Sequence, residues 1–237
     1  MTSRARTFLG VAVVVVVVGM LVVKLVLAQP ERVLLAGDSI LRQTGPALDN
    51  SFGRDVDIDN KAVNNSGLLT PGYIDWVRRL ERQVADDDPA AVVFLFIGNY
   101  TDTDFYTDAA GNPVMKNTPE FFDAWGQQAD RLMQVLKDAD SEAAVFWVLP
   151  PPQLSPANQA TTTGLRQVYV DLAERWPAIT LVDANDALAD PDGGYLGSIT
   201  NRQGEVVPLR APDTVHLSDA GARRLARTIH NAIDPVL

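Results

Sequence analysis

The sequence predicts an α/β fold in which a parallel sheet of about five strands lies between two layers of helices. Short apolar runs bounded by turn residues alternate with longer amphipathic stretches, which is typical of repeated β-α-β units. The length of 237 residues suits one domain with a sizeable core. No internal repeat interrupts the alternation, so we expect a single folded domain after an apolar N-terminal segment.

The elements follow this alternation in chain order. Strands are predicted at Val33–Ala36, Val56–Asp59, Val92–Ile97, Ala144–Leu149 and Ile179–Val182. Helices are predicted at Tyr73–Ala85, Pro119–Asp138, Thr161–Arg175 and Ser218–Ala232, and a further helix is expected to begin at Ser39. Two long connections, 100–118 and 184–212, begin where strands end, which is where open parallel sheets bind their ligands.

The N-terminal segment is long and apolar. Residues 8–28 contain no acidic residue and one basic residue, Lys24, and roughly 20 helical residues span a bilayer. Because Arg4 and Arg6 precede this segment, the positive-inside rule places the domain outside the cytoplasm. We therefore predict a short cytoplasmic N-terminus (residues 1–7), a transmembrane helix (8–28) and an extracytoplasmic domain (29–237). The alternative is a cleaved signal peptide, which would release the domain as a secreted protein.

Charge and residue usage exclude several kinds of function. The chain has 30 acidic and 20 basic residues, so sequence-independent binding to nucleic acid is disfavoured. It contains no cysteine, which excludes disulfides, thiolate metal sites and cysteine nucleophiles. Of its two histidines, His230 lies in a predicted helix without a carboxylate at suitable spacing. We expect His230 to be a packing or surface residue.

Two motifs contain candidate catalytic residues. Gly37-Asp38-Ser39 follows the first strand, so Ser39 is expected at a helix N-terminus, where the dipole favours negative charge. His216 lies just before the last helix, three residues after Asp213, which can accept the imidazole Nδ1–H and leave Nε2 as a base. Taken singly, these motifs also fit an N-cap serine and a solvated histidine.

Two further motifs supply candidate hydrogen-bond donors. Gly67 follows the second strand, and Asn99 follows the third. A glycine N–H and an asparagine amide are donors that oxyanion holes use, although both residues are also ordinary in turns.

In this order on a parallel sheet, Ser39, Gly67, Asn99 and His216 resemble the SGNH (GDSL-type) hydrolase family. The most specific part of the resemblance is the run DTVHLSDAGARRLA near the C-terminus, and GDSI resembles the family's first block. The resemblance implies a flavodoxin-like three-layer α/β/α sandwich without cofactor or metal. It also implies that Ser39 is the nucleophile, His216 the general base and Asp213 its orienting acid. The oxyanion hole would consist of the Ser39 N–H, the Gly67 N–H and the Asn99 side chain.

One block departs from the family pattern. The third block usually reads Gly-x-Asn-Asp, whereas here Gly98 and Asn99 are adjacent and Tyr100 follows. Either Asn99 reaches the site from a shifted register, which we expect, or Tyr100 takes its place. We also expect Asp38 and Tyr100 to contact the substrate.

The resemblance implies a serine esterase that forms an acyl-enzyme and hydrolyses acyl esters, O-acetyl or short-chain, on cell-envelope glycans. Transfer of the acyl group to a sugar hydroxyl would instead make the protein an O-acyltransferase acting on a cell-wall polysaccharide. A third hypothesis is a catalytically weak glycan-binding module. The expected partners are an acyl-ester substrate and the membrane, with no nucleic acid.

Overall fold

The central feature of the fold is a parallel β-sheet. The computed structural model describes residues 30–70, 72–98 and 105–237, and Glu31–Leu237 form one compact unit. The sheet strands are β1 (Glu31–Gly37), β2 (Val56–Asn60), β3 (Ala91–Leu95), β6 (Ala144–Leu149) and β7 (Ile179–Asp183). They are all parallel and lie in the order β2-β1-β3-β6-β7. This order confirms the predicted sheet and has its topological switch point between β1 and β3.

Helices connect the strands. They are α1 (Ser39–Phe52), α2 (Trp76–Asp87), α3 (Pro119–Asp138), α4 (Pro156–Arg175), α5 (Asn185–Leu188) and α6 (Asp219–Ile233), followed by a short 3-10 turn at Asp234–Val236. Two-stranded hairpins interrupt the long connections: β4 (Phe105–Thr107) with β5 (Pro113–Met115), and β8 (Ser198–Thr200) with β9 (Val206–Pro208).

Two apolar cores lie on opposite faces of the sheet. On one face, Phe94 and Trp147 pack with side chains of α2, α3 and α4. On the other face, Val93 and Val148 pack with side chains of α1 and α6. The central strands are buried on both sides, which explains why they read as continuous apolar runs in the sequence. The result is the predicted three-layer arrangement.

Two predicted helix starts are wrong by several residues. The helix predicted from Tyr73 begins at Trp76, because Asp75 is the N-cap and accepts a hydrogen bond from the Arg78 N–H at 3.0 Å. The helix predicted from Thr161 begins at Pro156, which occupies the first turn, where a missing N–H has no cost. The short hairpins were not predicted, since three-residue strands show no clear alternation.

The predicted N-terminus (residues 1–7) and membrane segment (8–28) lie outside the described residues. Within the ranges that the structure describes, no helix is both long enough and apolar enough to cross a bilayer.

Candidate active site

Ser39 lies at the carboxyl end of β1, as the first residue of α1. Gly37 permits this position, because a Cβ there would lie 2.3 Å from the carbonyl oxygen of Leu95 in neighbouring β3. Asp38 is the N-cap of α1, and its Oδ1 accepts a hydrogen bond from the Ile40 N–H at 2.9 Å. Ser39 therefore lies at the switch point of the sheet, at the positive end of a 14-residue helix.

The His216 imidazole connects Ser39 to Asp213. Its Nε2 lies 2.9 Å from Ser39 Oγ, and its Nδ1 lies 2.6 Å from Asp213 Oδ2. Desolvation opposes ionisation of Asp213, but hydrogen bonds from His216 and Val215 outweigh it and hold the pKa of this carboxyl below its usual value. An ionised Asp213 accepts the Nδ1–H, so the Nε2 lone pair faces the Ser39 hydroxyl.

The loop that carries His216 contains a strained residue. Thr214 has φ = 66°, a left-handed conformation that is unfavourable for a β-branched side chain. The Thr214 N–H donates to the Ala211 carbonyl at 2.9 Å, and the Ala211 N–H donates to the His216 carbonyl at 2.8 Å. Asp213 Oδ1 also accepts from the His216 N–H at 2.9 Å. These bonds hold the turn that presents His216 to Ser39.

The loop after β2 is bonded to the end of β1. Ser66 is fully buried, and its hydroxyl lies within hydrogen-bond distance of the carbonyls of Val63 (2.8 Å) and Gly37 (3.3 Å). The Val63 N–H also donates to Gly37, at 2.8 Å. These bonds tie the segment just before Gly67 to Gly37, two residues before Ser39. The local sequence does not mark Ser66 as a structural residue, since its burial depends on Gly37, 29 residues away.

The Gly67 N–H is occupied by a local hydrogen bond. It donates to Thr70 Oγ1 at 3.3 Å, and the same hydroxyl donates to the Gly67 carbonyl at 2.9 Å. The first bond is longer than the usual N–H···O distance. If a negatively charged oxygen replaced Thr70 Oγ1 as the acceptor of the Gly67 N–H, that oxygen would be stabilised, since charge-assisted hydrogen bonds are stronger than neutral ones.

The third predicted donor, Asn99, and the neighbouring Tyr100 lie outside the described residues. The chain just before them is firmly held. Gly98 has φ = 70°, and a Cβ there would lie 2.6 Å from Leu165 Cδ1. The Tyr169 hydroxyl donates to the Phe96 carbonyl at 3.0 Å and accepts from the Trp125 indole N–H at 2.9 Å.

Asp38 was predicted to contact substrate, but the residue is only 2% exposed. Its Oδ2 accepts from the Ile97 N–H at 2.6 Å and its Oδ1 accepts from Ile40, so both oxygens bind the backbone. The structure thus places Asp38 as a link between the ends of β1 and β3, because a buried carboxyl with both oxygens bonded has no open face. Desolvation raises the pKa of this group to about 7.

His230, the other histidine, lies on α6 away from these residues. Its Nδ1 is 3.2 Å from Ser51 Oγ and its ring lies 4.2 Å from the Phe52 ring, in agreement with the packing position expected from the sequence. No cluster of His, Asp or Glu suited to hold a metal ion occurs within the ranges described.

A known protein family matches the sequence of this chain over nearly the whole folded unit. A family model described as "Protein of unknown function (DUF459)" matches residues 32–232. The chain belongs to this family. No curated protein matches this DUF459 chain significantly.

Solved structures resemble this DUF459 chain throughout the domain. A GDSL-like lipase from Bacteroides thetaiotaomicron is 17% identical, over 90% of this chain and 95% of the other, with a TM-score of 0.57. A carbohydrate acetylesterase family member from Sinorhizobium meliloti is 15% identical, over 87% and 99%, with a TM-score of 0.59. A carbohydrate esterase family 3 protein from Talaromyces cellulolyticus is 14% identical, over 87% and 98%, also with 0.59. These likenesses confirm the SGNH-hydrolase fold that the motifs predicted.

Proposed function

We propose that this protein is a serine esterase in which Ser39 forms an acyl-enzyme. The observation that carries the proposal is the hydrogen-bonded series Ser39–His216–Asp213 at the N-terminus of α1. A hydroxyl bonded to a base, whose other nitrogen is oriented by a carboxylate, is the arrangement that activates a serine nucleophile. The fold shared with GDSL-type lipases and carbohydrate esterases supports the same chemistry.

The first half-reaction is acylation of Ser39. His216 Nε2 takes the hydroxyl proton as Ser39 Oγ bonds to the ester carbonyl carbon. The resulting oxyanion accepts hydrogen bonds from the N–H groups of Ser39 and Gly67, with Gly67 released from Thr70, and from the Asn99 amide. The bond to the leaving alcohol oxygen then breaks, and the alcohol takes the proton from His216. Each lost donor would reduce the rate by about 10²–10³-fold.

The second half-reaction is deacylation by water. His216 removes a proton from the water, whose oxygen bonds to the acyl carbon, and the bond to Ser39 Oγ breaks. Ser39 recovers its proton from His216, and the carboxylic acid leaves. The enzyme returns to its starting state without a cofactor.

We assign the substrate to O-acetyl or other short acyl esters displayed on cell-envelope glycans. The side chains of His216 and Asp213 are 35% and 50% exposed, so the site is open enough for an ester group attached to a polymer. The carbohydrate esterases named among the structural neighbours support the same class. Residues 8–28 are proposed to anchor the domain on the outer side of the cytoplasmic membrane.

A fluorophosphonate probe tests the activated serine without a choice of substrate. We expect the full-length chain to form an adduct at Ser39, located by mass spectrometry. The adduct should disappear in Ser39→Ala, and the labelling rate should fall by roughly 10⁴-fold or more in His216→Ala, because the base is lost. His230→Ala is the matched control, since this histidine packs against Ser51 and Phe52 at the end of α1, and it should label at the wild-type rate.

A folded wild-type chain that forms no adduct, while a known serine esterase labels in the same sample, would contradict the proposal. Saturable glycan binding that survives Ser39→Ala without any turnover would point to the binding-module hypothesis instead. In an active enzyme, an added oligosaccharide that diverts product from free acid to acyl sugar would identify a transferase.

A further inference from the structure

Arg210 is a buried cation beside the candidate active site. Arg210 is 5% exposed, and burial lowers the pKa of its guanidinium below the ordinary value. Within the described part of the chain, no Asp or Glu forms an ion pair with it, and its Nε has no hydrogen-bond partner. Burying a positive charge without a carboxylate partner costs free energy. The contacts that Arg210 does make therefore indicate its role.

These contacts join three loops at the carboxyl end of the sheet. Nη2 of Arg210 donates to the Pro152 carbonyl at 2.9 Å, in the loop after β6. Nη1 donates to the Val215 carbonyl at 3.1 Å, in the loop that carries His216. The guanidinium also lies over the ring of Tyr195, 5.1 Å from its centroid, in the loop after α5. The planar, forked shape of a guanidinium allows all three contacts together, whereas an ammonium group does not.

The contact with Val215 bears directly on the base. The peptide group between Val215 and His216 is held at both of its polar atoms. Arg210 binds the carbonyl oxygen at 3.1 Å, and Asp213 Oδ1 accepts the His216 N–H at 2.9 Å. Rotation of this peptide plane would turn the Cα–Cβ bond of His216 and move Nε2 away from Ser39 Oγ. The strained Thr214, at φ = 66°, lies on the other side of Val215 and needs such restraints to persist.

We propose that Arg210 is a positioning residue that sets the orientation of the His216 imidazole toward Ser39 by fixing the Val215–His216 peptide. The inference rests on the proposed function, because it assigns Arg210 the orientation of His216, the proposed general base. Arg210 does not touch the reacting atoms. It acts through the backbone of the loop.

The test compares Arg210→Lys and Arg210→Met with Arg166→Lys in the full-length chain. Arg166 is a matched control: it binds the Pro150 carbonyl of the loop after β6 at 3.0 Å but pairs with Asp183, and among the described residues it forms no hydrogen bond with the His216 loop. We expect both Arg210 variants to react with the fluorophosphonate about 10²-fold more slowly, since a displacement of about 1 Å has effects of this size. Arg166→Lys should stay within about twofold of wild type, because both positively charged side chains reach Asp183.

Nuclear magnetic resonance of the imidazoles supplies the readout that a purely structural effect would not produce. The chain has only two histidines, so the ring nitrogen signals of His216 and His230 are assigned by single substitutions. We expect the His216 signals to change in both Arg210 variants while those of His230 remain as in wild type. The melting temperature is measured in parallel.

The outcomes separate the two proposals. Wild-type labelling rates and unchanged His216 signals in folded Arg210 variants would overturn the inference, and so would unfolding of both variants. If the wild type forms no adduct at Ser39, the proposed function fails, yet the His216 signals in Arg210→Lys still decide whether Arg210 orients the imidazole.

Discussion

Asp38 is the residue whose environment differs most from what its sequence position suggests. It belongs to the GDS motif beside the nucleophile, but its carboxyl group is buried and both oxygens accept backbone N–H groups from Ile40 and Ile97. Desolvation raises its pKa from 3.8 to about 7, although these hydrogen bonds and the nearby His216 oppose the rise. The group is therefore neutral over much of the acidic pH range.

This raised pKa predicts a specific dependence of stability on pH. Between about pH 4 and about pH 7 the native state holds a proton on Asp38 that the unfolded state has released. The free energy of unfolding should therefore decrease as the pH rises through this interval, by about 1.4 kcal/mol per pH unit at most. Asp213 acts in the opposite sense and in another window, because its lowered pKa adds stability that is lost only as the pH falls below about 4.

Denaturant unfolding of wild type and Asp38→Asn across this pH range provides the measurement. The asparagine does not titrate, so the stability of wild type relative to the variant should be greatest near pH 4 and should decline toward pH 7. The absolute stability of the variant does not affect this comparison. A difference that stays constant with pH would show that Asp38 titrates alike in the native and unfolded states.

At the level of secondary structure, the start of α6 determines where the His216 loop lies. Ser218 is the N-cap and accepts from the Gly221 N–H at 3.2 Å, and its own N–H donates to the Leu209 carbonyl at 3.1 Å. A Cβ at Gly221 would lie 2.1 Å from that same carbonyl oxygen. The glycine of the DAG motif thus allows α6 to approach the segment that precedes Arg210.

Alanine substitutions at two helical glycines test this close approach. Gly221→Ala should lower the free energy of unfolding by about 1–3 kcal/mol, because the added methyl group forces the backbone of Leu209 away from the helix. Gly126→Ala in α3 is the matched control, since its Cβ would meet Val168 Cγ1 at an ordinary 3.5 Å. That variant should gain up to about 1 kcal/mol from helix propensity.

Chemical denaturation of both variants under the same conditions gives the comparison. Equal changes in the two free energies of unfolding would contradict a special packing constraint at Gly221. We also expect the Gly221 variant to label more slowly with the fluorophosphonate. Displacement of Leu209 would also shift Arg210, the next residue in the chain, which we propose orients His216.

At the scale of the whole molecule, Glu31–Leu237 form one compact unit with the candidate site at one end of the sheet. β1 begins at Glu31, and Ser39 follows its carboxyl end, so the site lies at the end of the sheet opposite the first residue of this unit. Two residues, Gln29 and Pro30, separate the apolar segment 8–28 from that first residue in the sequence.

Cell fractionation tests the proposed anchor. We expect the full-length chain to sediment with membranes and to resist extraction by high salt, because the apolar segment is long enough to span a bilayer. A chain lacking residues 2–28 should remain in the soluble fraction and label at Ser39 like the full-length protein. A mature chain beginning at Gln29 in the medium would instead establish a cleaved signal peptide.

The sheet and most of its helices were predictable, because they depend on patterns within a few residues. Buried parallel strands require runs of apolar side chains, and helices require amphipathic periodicity, so Ala144–Leu149 and Pro119–Asp138 were predicted with the bounds that the structure has. The pairing of Asp213 with His216 was predictable for the same reason, since only three residues separate them.

The remaining features depend on residues that are far apart in the chain. Ser39 and His216 are separated by 177 residues, Asp38 and Ile97 by 59, and Arg210 and Pro152 by 58. The local sequence does not specify which distant carbonyl or N–H a side chain meets, or how much water is excluded around it. Motif and periodicity thus indicated the fold and the candidate nucleophile, base and acid. The burial of Asp38 and the contacts of Arg210 arise only when the loops converge at the carboxyl end of the folded sheet.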